Sequence, residues 1–298
     1  MQSLPYDKSE VEALIRASLP REDGLQRTVI RAMREAVENG GKRIRPILLF
    51  ESCKCFAEAR SESGWKEEAA PFLAALEMIH SFSLVHDDLP CMDNDILRRG
   101  KPTTWYVYGE AMGTLAGDGL VLEALTLAGK AVAASKHPER AARALAILGE
   151  KSGVGGMLGG QSVDVEKTGE HLDATTLDFI YRLKTGALLE AAFMMGAALG
   201  GATEEELRLA EQIGAAVGLA FQIRDDILDE TASEAELGKP LHSDEKNQKT
   251  TYVSLYGLES AKEAVRQQSE IAAQRLKDFP GDTKCLAALI AYLTERNF

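Results

Sequence analysis

Cysteine is scarce in this chain, and what there is has no pattern. Cys53, Cys55, Cys91 and Cys285 show neither the C-x-x-C spacing of a zinc site nor the density of a secreted disulfide scaffold, so they read as free thiols of a reducing cytosol. Positive charge is also short. The 34 Lys and Arg face 46 Asp and Glu, and the net charge of −12 opposes the phosphate-backbone attraction on which non-specific nucleic-acid binding depends. No nucleic-acid partner is expected. Long apolar runs are missing too: the longest, Ala191 to Ala202, is too short to cross a bilayer and is interrupted by Gly196, Gly200 and Gly201. Met1 to Gly24 is broken by Pro5 and Pro20 and carries Asp7, Lys8, Glu10 and Glu12, so it lacks the apolar core of a signal peptide. A cytoplasmic protein without membrane insertion is the expectation. Absent as well are the P-loop, the strand followed by G-x-G-x-x-G, H-E-x-x-H and G-x-S-x-G, and with them four common site chemistries.

Alternating or β-branched runs between turn signals are few, whereas apolar residues recur at helical spacing, as in Phe72, Leu73, Leu76, Ile79, His80 and Leu84. The spacing predicts an all-α protein. Breaks fall where Gly and Pro cluster, at Asn39 to Gly41, Arg60 to Gly64, Arg99 to Pro102, His137 to Pro138, Gly153 to Gly160, Gly200 to Gly201 and Phe279 to Gly281. They divide the chain into about ten helices of ordinary length. No linker separates halves of different composition, so residues 1–298 are expected to form a single domain. Glu230 to Lys249 is polar and holds Gly238 and Pro240, which suits either a solvated loop or an active-site lid.

Two acidic clusters end apolar helices. The first runs from His80 through Asp87, Asp88 and Asp93 to Asp95, and the second is Phe221-Gln-Ile-Arg-Asp225-Asp226-Ile-Leu-Asp229. Asp225 and Asp229 are four apart, so on a helix both carboxylates project from one face within reach of a shared cation. Pro90 disfavours helix at Leu89, leaving Asp87 and Asp88 on a last turn and Asp93 on an irregular return. Carboxylates at a helix C-terminus repel one another and the helix dipole unless a cation compensates them. Oxygen ligands without His or Cys point to Mg²⁺, which keeps waters and shares its remaining positions with substrate phosphates.

Basic groups gather nearby. Gly40-Gly41-Lys42-Arg43-Ile44-Arg45-Pro46 places Lys42 and Arg45 three apart, on one face of a helix, and Arg98, Arg99 and Lys101 follow the first acidic cluster, with Lys184, Lys239 and Lys249 later. Cations beside paired carboxylate clusters suggest a diphosphate held by metal on one side and by Arg and Lys on the other.

GGKRIRP from Gly40, HDDLPCMDND followed by LRRGKPT, GGQ at Gly159 to Gln161, KTGAL from Lys184, FQIRDDILD, GKP and KTTY occur in this order between Gly40 and Tyr252. In these motifs the chain resembles the trans-isoprenyl diphosphate synthases (polyprenyl synthetases), above all the bacterial farnesyl diphosphate synthase group. The resemblance implies an all-α bundle around a central cavity with the two aspartate motifs facing each other across its mouth. It implies that Asp87, Asp88, Asp93, Asp225, Asp226 and Asp229 hold three Mg²⁺ on an allylic diphosphate, helped by Arg98, Lys184 and Lys239. Gly41, Lys42, Arg45, His80 and Arg99 would bind isopentenyl diphosphate, Thr185 and Gln222 would lie near the growing cation, and Lys249 falls in the KTTY match. A homodimer is implied as well. The sequence departs from the pattern at Ile96, Trp105-Tyr106, Arg224 and His242, none of them a primary ligand.

His80 lies seven residues before Asp87, on nearly the same helical face and about 10.5 Å away along the axis. Alone it would read as a core histidine; the resemblance gives it a phosphate. His86, His137 and His171 receive no role. For product length, Phe82 with Ser83 resembles the farnesyl pattern, in which an aromatic ring stops growth at fifteen carbons. Phe82 is also about 140° round the helix from Asp87, which equally suits packing against a neighbour, so a geranylgeranyl product stays open. A class I terpene cyclase or a non-catalytic synthase-like subunit are the rivals. The first has no use for GGKRIRP and a second DDxxD, and the second gains nothing from clustered carboxylates.

Overall fold

The structure, a computed structural model, describes residues 6–231 and 250–295. The chain opens with α1 (Ser9–Ser18), α2 (Arg27–Glu38), α3 (Ile44–Ala59) and α4 (Trp65–Asp87). After a two-stranded antiparallel ribbon, β1 (Leu97–Arg98) and β2 (Lys101–Pro102), come α5 (Thr104–Tyr108), α6 (Glu110–Ala134), α7 (Pro138–Ser152), α8 (Met157–Glu166) and α9 (Ala174–Ile180). A π-helical turn, Tyr181–Gly186, joins α9 to α10 (Ala187–Leu199), which is followed by α11 (Glu204–Thr231). Beyond residue 249 lie α12 (Tyr252–Tyr256), α13 (Leu258–Leu276) and α14 (Lys284–Glu295). The all-α expectation holds, with more and shorter helices among the described residues than the breaks alone suggest.

Local chemistry accounts for many of the ends. Pro138 occupies the first position of α7, where a missing N–H costs nothing. Asp173 caps α9 by accepting from the Thr176 amide at 2.7 Å, and Thr251 and Ser254 form a reciprocal capping box on α12. The LRRGKP stretch, expected only as a break, is a hairpin whose turn residues Arg99 and Gly100 both take positive φ, 55° and 75°. That geometry matches the twist of the flanking strands.

Burial sorts the helices into an inner and an outer set. Every residue of α10 is buried, α3 buries most of its residues and α4 about half, and α10 packs on α3, α7 and α11 while α4 packs on α3 and α6. Their periodicity is blurred because they are apolar all round. Truncating a fully buried inner residue such as Leu76 or Phe193 to Ala is expected to cost about 2–5 kcal/mol. Two helices, α4 and α6, are long and apolar enough to cross a membrane by composition. The breaks at Arg99 to Pro102 and His137 to Pro138 bracket α6, whose apolar run is interrupted by Asp118, Glu123 and Lys130. The middle of α4, Phe72 to Ile79, is buried without a break, whereas α6 turns Gly113, Ala116, Gly117, Leu120, Ala124 and Ala128 inward and leaves Leu115, Leu122 and Leu125 exposed.

Candidate active site

The first aspartate cluster is shaped by the end of α4. The Asp88 amide still donates to the Leu84 carbonyl at 3.0 Å; Pro90 then stops the helix, and the chain folds back so that the Asp93 amide donates to the Asp87 carbonyl at 2.8 Å. Asp93 thereby returns to the helix end as expected. Trp105 Nε1 and Thr103 Oγ1 both donate to the Asp95 carbonyl at 2.8 Å, which gives the unusual Trp a structural job holding this turn. Asp88 is buried and accepts from Arg98 Nε at 2.6 Å; burial outweighs the guanidinium and pushes its carboxyl up to about 6. Asp87 accepts from the Gln161 amide at 2.7 Å.

Along the same face of α4 lies a cavity of about 220 Å³ that takes in His80, Phe82, Ser83 and Asp87, with Arg45 from α3, Met157 and Gln161 from α8, and Lys184 and Thr185 from the π turn. The shared face expected for His80 and Asp87 is present, and Phe82 reaches the cavity wall. Phe82 meets His86 edge-on at 5.1 Å between ring centroids, and His86 Nε2 sits 3.2 Å from the Thr114 carbonyl. His86, assigned nothing from sequence, therefore backs the ring that lines the cavity.

Arg45 Nη1 lies 3.5 Å from His80 Nε2, and its Nε is buried with no hydrogen-bond partner. Burial pulls the Arg45 guanidinium down to about 10, and burial together with Arg45 and Arg99 holds His80 well below the usual imidazole range, so His80 is neutral at pH 7. Among the described residues neither Arg45 nor Arg99 forms an ion pair. Arg99 donates instead to the Gly40 carbonyl at 2.6 Å.

Lys42 corrects one expectation. It does not share a helical face with Arg45, because Arg43 takes a left-handed conformation (φ 54°) immediately before α3 and ends the helix there. The Lys42 ammonium lies 5.3 Å from the Tyr292 ring centre, outside the cavity just described. The basic residue between them, passed over in the sequence, is an internal anchor: Arg43 is buried, pairs with buried Glu77 at 2.6 Å and donates to the Val37 carbonyl at 2.7 Å.

The π turn forms the opposite wall. It is pressed between neighbours at two glycines: a Cβ at Gly160 would stand 2.3 Å from the Lys184 amide nitrogen, and one at Gly218 would stand 2.7 Å from Gly186 Cα. Gly159 and Gly160, expected at a break between helices, lie inside α8, and close packing is the reason for Gly160. The extra residue of the π turn sets the direction of Lys184 and Thr185. Lys184 Nζ pairs with Asp164 at 2.6 Å, and Thr185 Oγ1 donates to Gln222 Oε1 at 2.6 Å. Both residues also line a second cavity of about 120 Å³, together with Asp164, Tyr181, Gln222 and Asp226.

Asp225 and Asp229 sit one turn apart on α11 as expected, Asp225 half-buried and Asp229 buried. Asp226 is buried and used by protein donors: the Tyr181 hydroxyl, the Gln222 amide at 3.3 Å and the Tyr252 amide at 2.8 Å. Asp226, like Asp88 and Asp87, is thus held by protein donors. Lys239, Lys249 and His242, with most of the polar segment from Glu230, lie outside the described residues.

Among the described residues no three His, Cys, Asp or Glu side chains converge into a preformed metal cage. The donor set still fits Mg²⁺, which commonly takes one or two carboxylates and completes its shell with water and substrate phosphate. The orphaned Gln161 Oε1 beside Asp87 is an acceptor suited to a metal-bound water.

The polyprenyl synthetase family model matches residues 26–290. The chain belongs to the polyprenyl synthetase family. It is 40% identical to farnesyl diphosphate synthase of Geobacillus stearothermophilus over 99% of this chain and 97% of that protein. It is 44% identical to the chloroplastic geranylgeranyl pyrophosphate synthase of Capsicum annuum over 87% of this chain and 68% of that one. The crystal structure of an FPP/GFPP synthase from Zymomonas mobilis superposes with a TM-score of 0.82 at 31% identity, covering 96% of this chain and 95% of the other. This synthetase is accordingly a prenyltransferase of trans-prenyl chain elongation. Chain elongation, not cyclisation, is what these relatives are named for.

Proposed function

We propose that this synthetase is a Mg²⁺-dependent farnesyl diphosphate synthase that condenses isopentenyl diphosphate with dimethylallyl and geranyl diphosphates, acting in the cytoplasm as a homodimer. The observation that carries the reading is a single cavity with a buried, unpartnered Arg45 Nε at one side, Asp87 at another and the Phe82 ring in its wall. A guanidinium withdrawn from water without an anion is a cost that a diphosphate would repay with charge-assisted bonds. Neutral His80, 3.5 Å from Arg45, can donate one further hydrogen bond to the same group.

Asp87, Asp88, Asp93, Asp225, Asp226 and Asp229 would hold Mg²⁺, which supplies charge neutralisation for the departing diphosphate of the allylic substrate. Arg98 and Lys184, fixed in place by Asp88 and Asp164, add positive charge where the leaving group develops its negative charge. The resulting allylic cation must be shielded from water, which Phe82, Met157 and the helix walls provide, while the Thr185 and Gln222 oxygens stabilise it. The isopentenyl double bond attacks, and a proton is lost to finish the cycle. The exposed apolar face of α6 supports a homodimer, since Leu115, Leu122 and Leu125 present a patch of the kind that a second copy covers.

The test is product analysis. Incubation with isopentenyl diphosphate, dimethylallyl or geranyl diphosphate and Mg²⁺ should give a fifteen-carbon product, and chelation should stop it. Accumulation of twenty carbons would transfer the assignment to geranylgeranyl diphosphate synthase.

A further inference from the structure

The loop before α3 is held by three side chains from other parts of the chain, one to each successive carbonyl. Arg99 Nη1 donates to Gly40 O at 2.6 Å, Lys8 Nζ to Gly41 O at 3.0 Å, and the Tyr6 hydroxyl to Lys42 O at 2.5 Å. Gly40, Gly41 and Arg43 all have positive φ (94°, 120° and 54°), so no regular helix or strand bonding maintains this conformation. A backbone in such a state persists only where its surroundings over-determine it.

We infer that Tyr6 and Lys8, on the N-terminal segment leading into α1, are positioning residues that aim this loop at isopentenyl diphosphate, an inference that rests on the proposed assignment of the loop to that substrate. In a trans peptide the N–H of each residue points opposite to the preceding carbonyl. Drawing the carbonyls of Gly40, Gly41 and Lys42 towards Arg99, Lys8 and Tyr6 turns the amides of Gly41, Lys42 and Arg43 the other way. Those three amides make no hydrogen bond among the described residues. Successive amides presented together form a concavity for an anion, which a diphosphate oxygen fills. Tyr6 also lies near Tyr292, the ring under the Lys42 ammonium, so backbone and side chain of Lys42 are steered from the same corner of the fold. Burial, with Tyr292, raises the Tyr6 hydroxyl above its ordinary range, so it remains a protonated donor at any working pH. The arrangement links the segment leading into α1 to substrate binding more than thirty positions away.

The test combines Tyr6→Phe and Lys8→Met with Lys42→Ala and Gly41→Ala. Tyr6→Phe keeps the ring and removes only the donor. It should raise KM for isopentenyl diphosphate about fivefold, as expected for loss of one hydrogen bond, with kcat and the KM for geranyl diphosphate within twofold of the parent. Lys8→Met should act in the same direction. Hydrogen exchange of the Ile47 amide, whose 3.0 Å bond to the Arg43 carbonyl ties the loop to α3, should speed up in both in the substrate-free protein, with helical content unchanged. Unchanged exchange at Ile47 overturns the inference. Faster exchange with no change in the isopentenyl KM overturns it too, and the loop variants say where it failed. If Lys42→Ala and Gly41→Ala raise that KM, the loop assignment stands and the strap is wrong. If they leave it unmoved, the loop assignment itself has failed.

Discussion

The two banks of positive charge in the site are built differently. Arg98 and Lys184 each lie against a carboxylate, Asp88 at 2.6 Å and Asp164 at 2.6 Å, so their charge is compensated at rest and their position is fixed. Arg45 and Arg99 have a neutral imidazole and a backbone carbonyl for company, and burial depresses both guanidinium groups. On the proposed function, the first bank is preorganised for charge that appears during reaction. The second stores an unmet demand for an anion that is already charged when it binds. A substrate that ionises and a substrate that stays intact call for this division.

The largest expected effect comes from removing a carboxylate that serves the ionising side. Asp87→Ala and Asp225→Ala should each lower turnover at least about a hundredfold while circular dichroism shows the helices intact, since metal-ion stabilisation of the leaving group is worth several kcal/mol. Normal turnover in either purified variant would end the two-cluster mechanism and with it the contrast between the banks.

Next in size is the contrast itself. Arg45→Ala should raise KM for isopentenyl diphosphate by about 10- to 100-fold, the worth of charge-assisted bonds, whereas Arg98→Ala should act chiefly through the allylic substrate. Steady-state kinetics with each substrate varied in turn separates them, and equal losses for both substrates in both variants would merge the banks into one.

A smaller change in rate but a clear change in product is expected of Phe82→Ala. With the ring gone from the cavity wall, products should move towards twenty carbons or more, read by chromatography of the dephosphorylated alcohols. A fifteen-carbon product from the variant would remove Phe82 as the limit to growth.

The smallest effect concerns His80 and needs no substrate. Its folded-state proton affinity is well below the ordinary value, so below about pH 6.5 the unfolded chain binds more protons than the folded one. Stability tied to the neutral ring is therefore fully present above that pH and lost as the pH falls. The drop in Tm between pH 7 and pH 5 should be larger for the parent than for His80→Gln, and identical drops would show that neither burial nor the Arg45 and Arg99 charges depress the ring.

Much of this was legible in the sequence because it depends on spacing along one helix. The seven-residue step from His80 to Asp87, the stop at Pro90 and the four-residue step from Asp225 to Asp229 all survive into the fold. What escaped depends on partners far away in sequence. Gln161 on Asp87, Asp164 on Lys184, Glu77 on Arg43 and Tyr181 on Asp226 are pairings that only helix packing creates. The misplacement of Lys42 has a conformational cause, since one left-handed residue at Arg43 takes it off the helix face that its spacing suggests. The π turn left no mark either, because its signature is a displaced hydrogen bond and not a residue type.

The packing of that turn separates two heritable traits. Its backbone touches neighbours where Gly160 and Gly218 stand, so any side chain added there shifts Lys184 or Gly186 and disturbs chemistry. The α4 wall meets the cavity with side chains and not with backbone: Phe82 packs on the His86 ring, Ser83 Oγ donates to the His80 carbonyl, and both line cavity space. If Phe82 limits chain growth as proposed, substitutions on α4 can change how long a molecule is made, while the part of the enzyme that makes the bond is held to its present form.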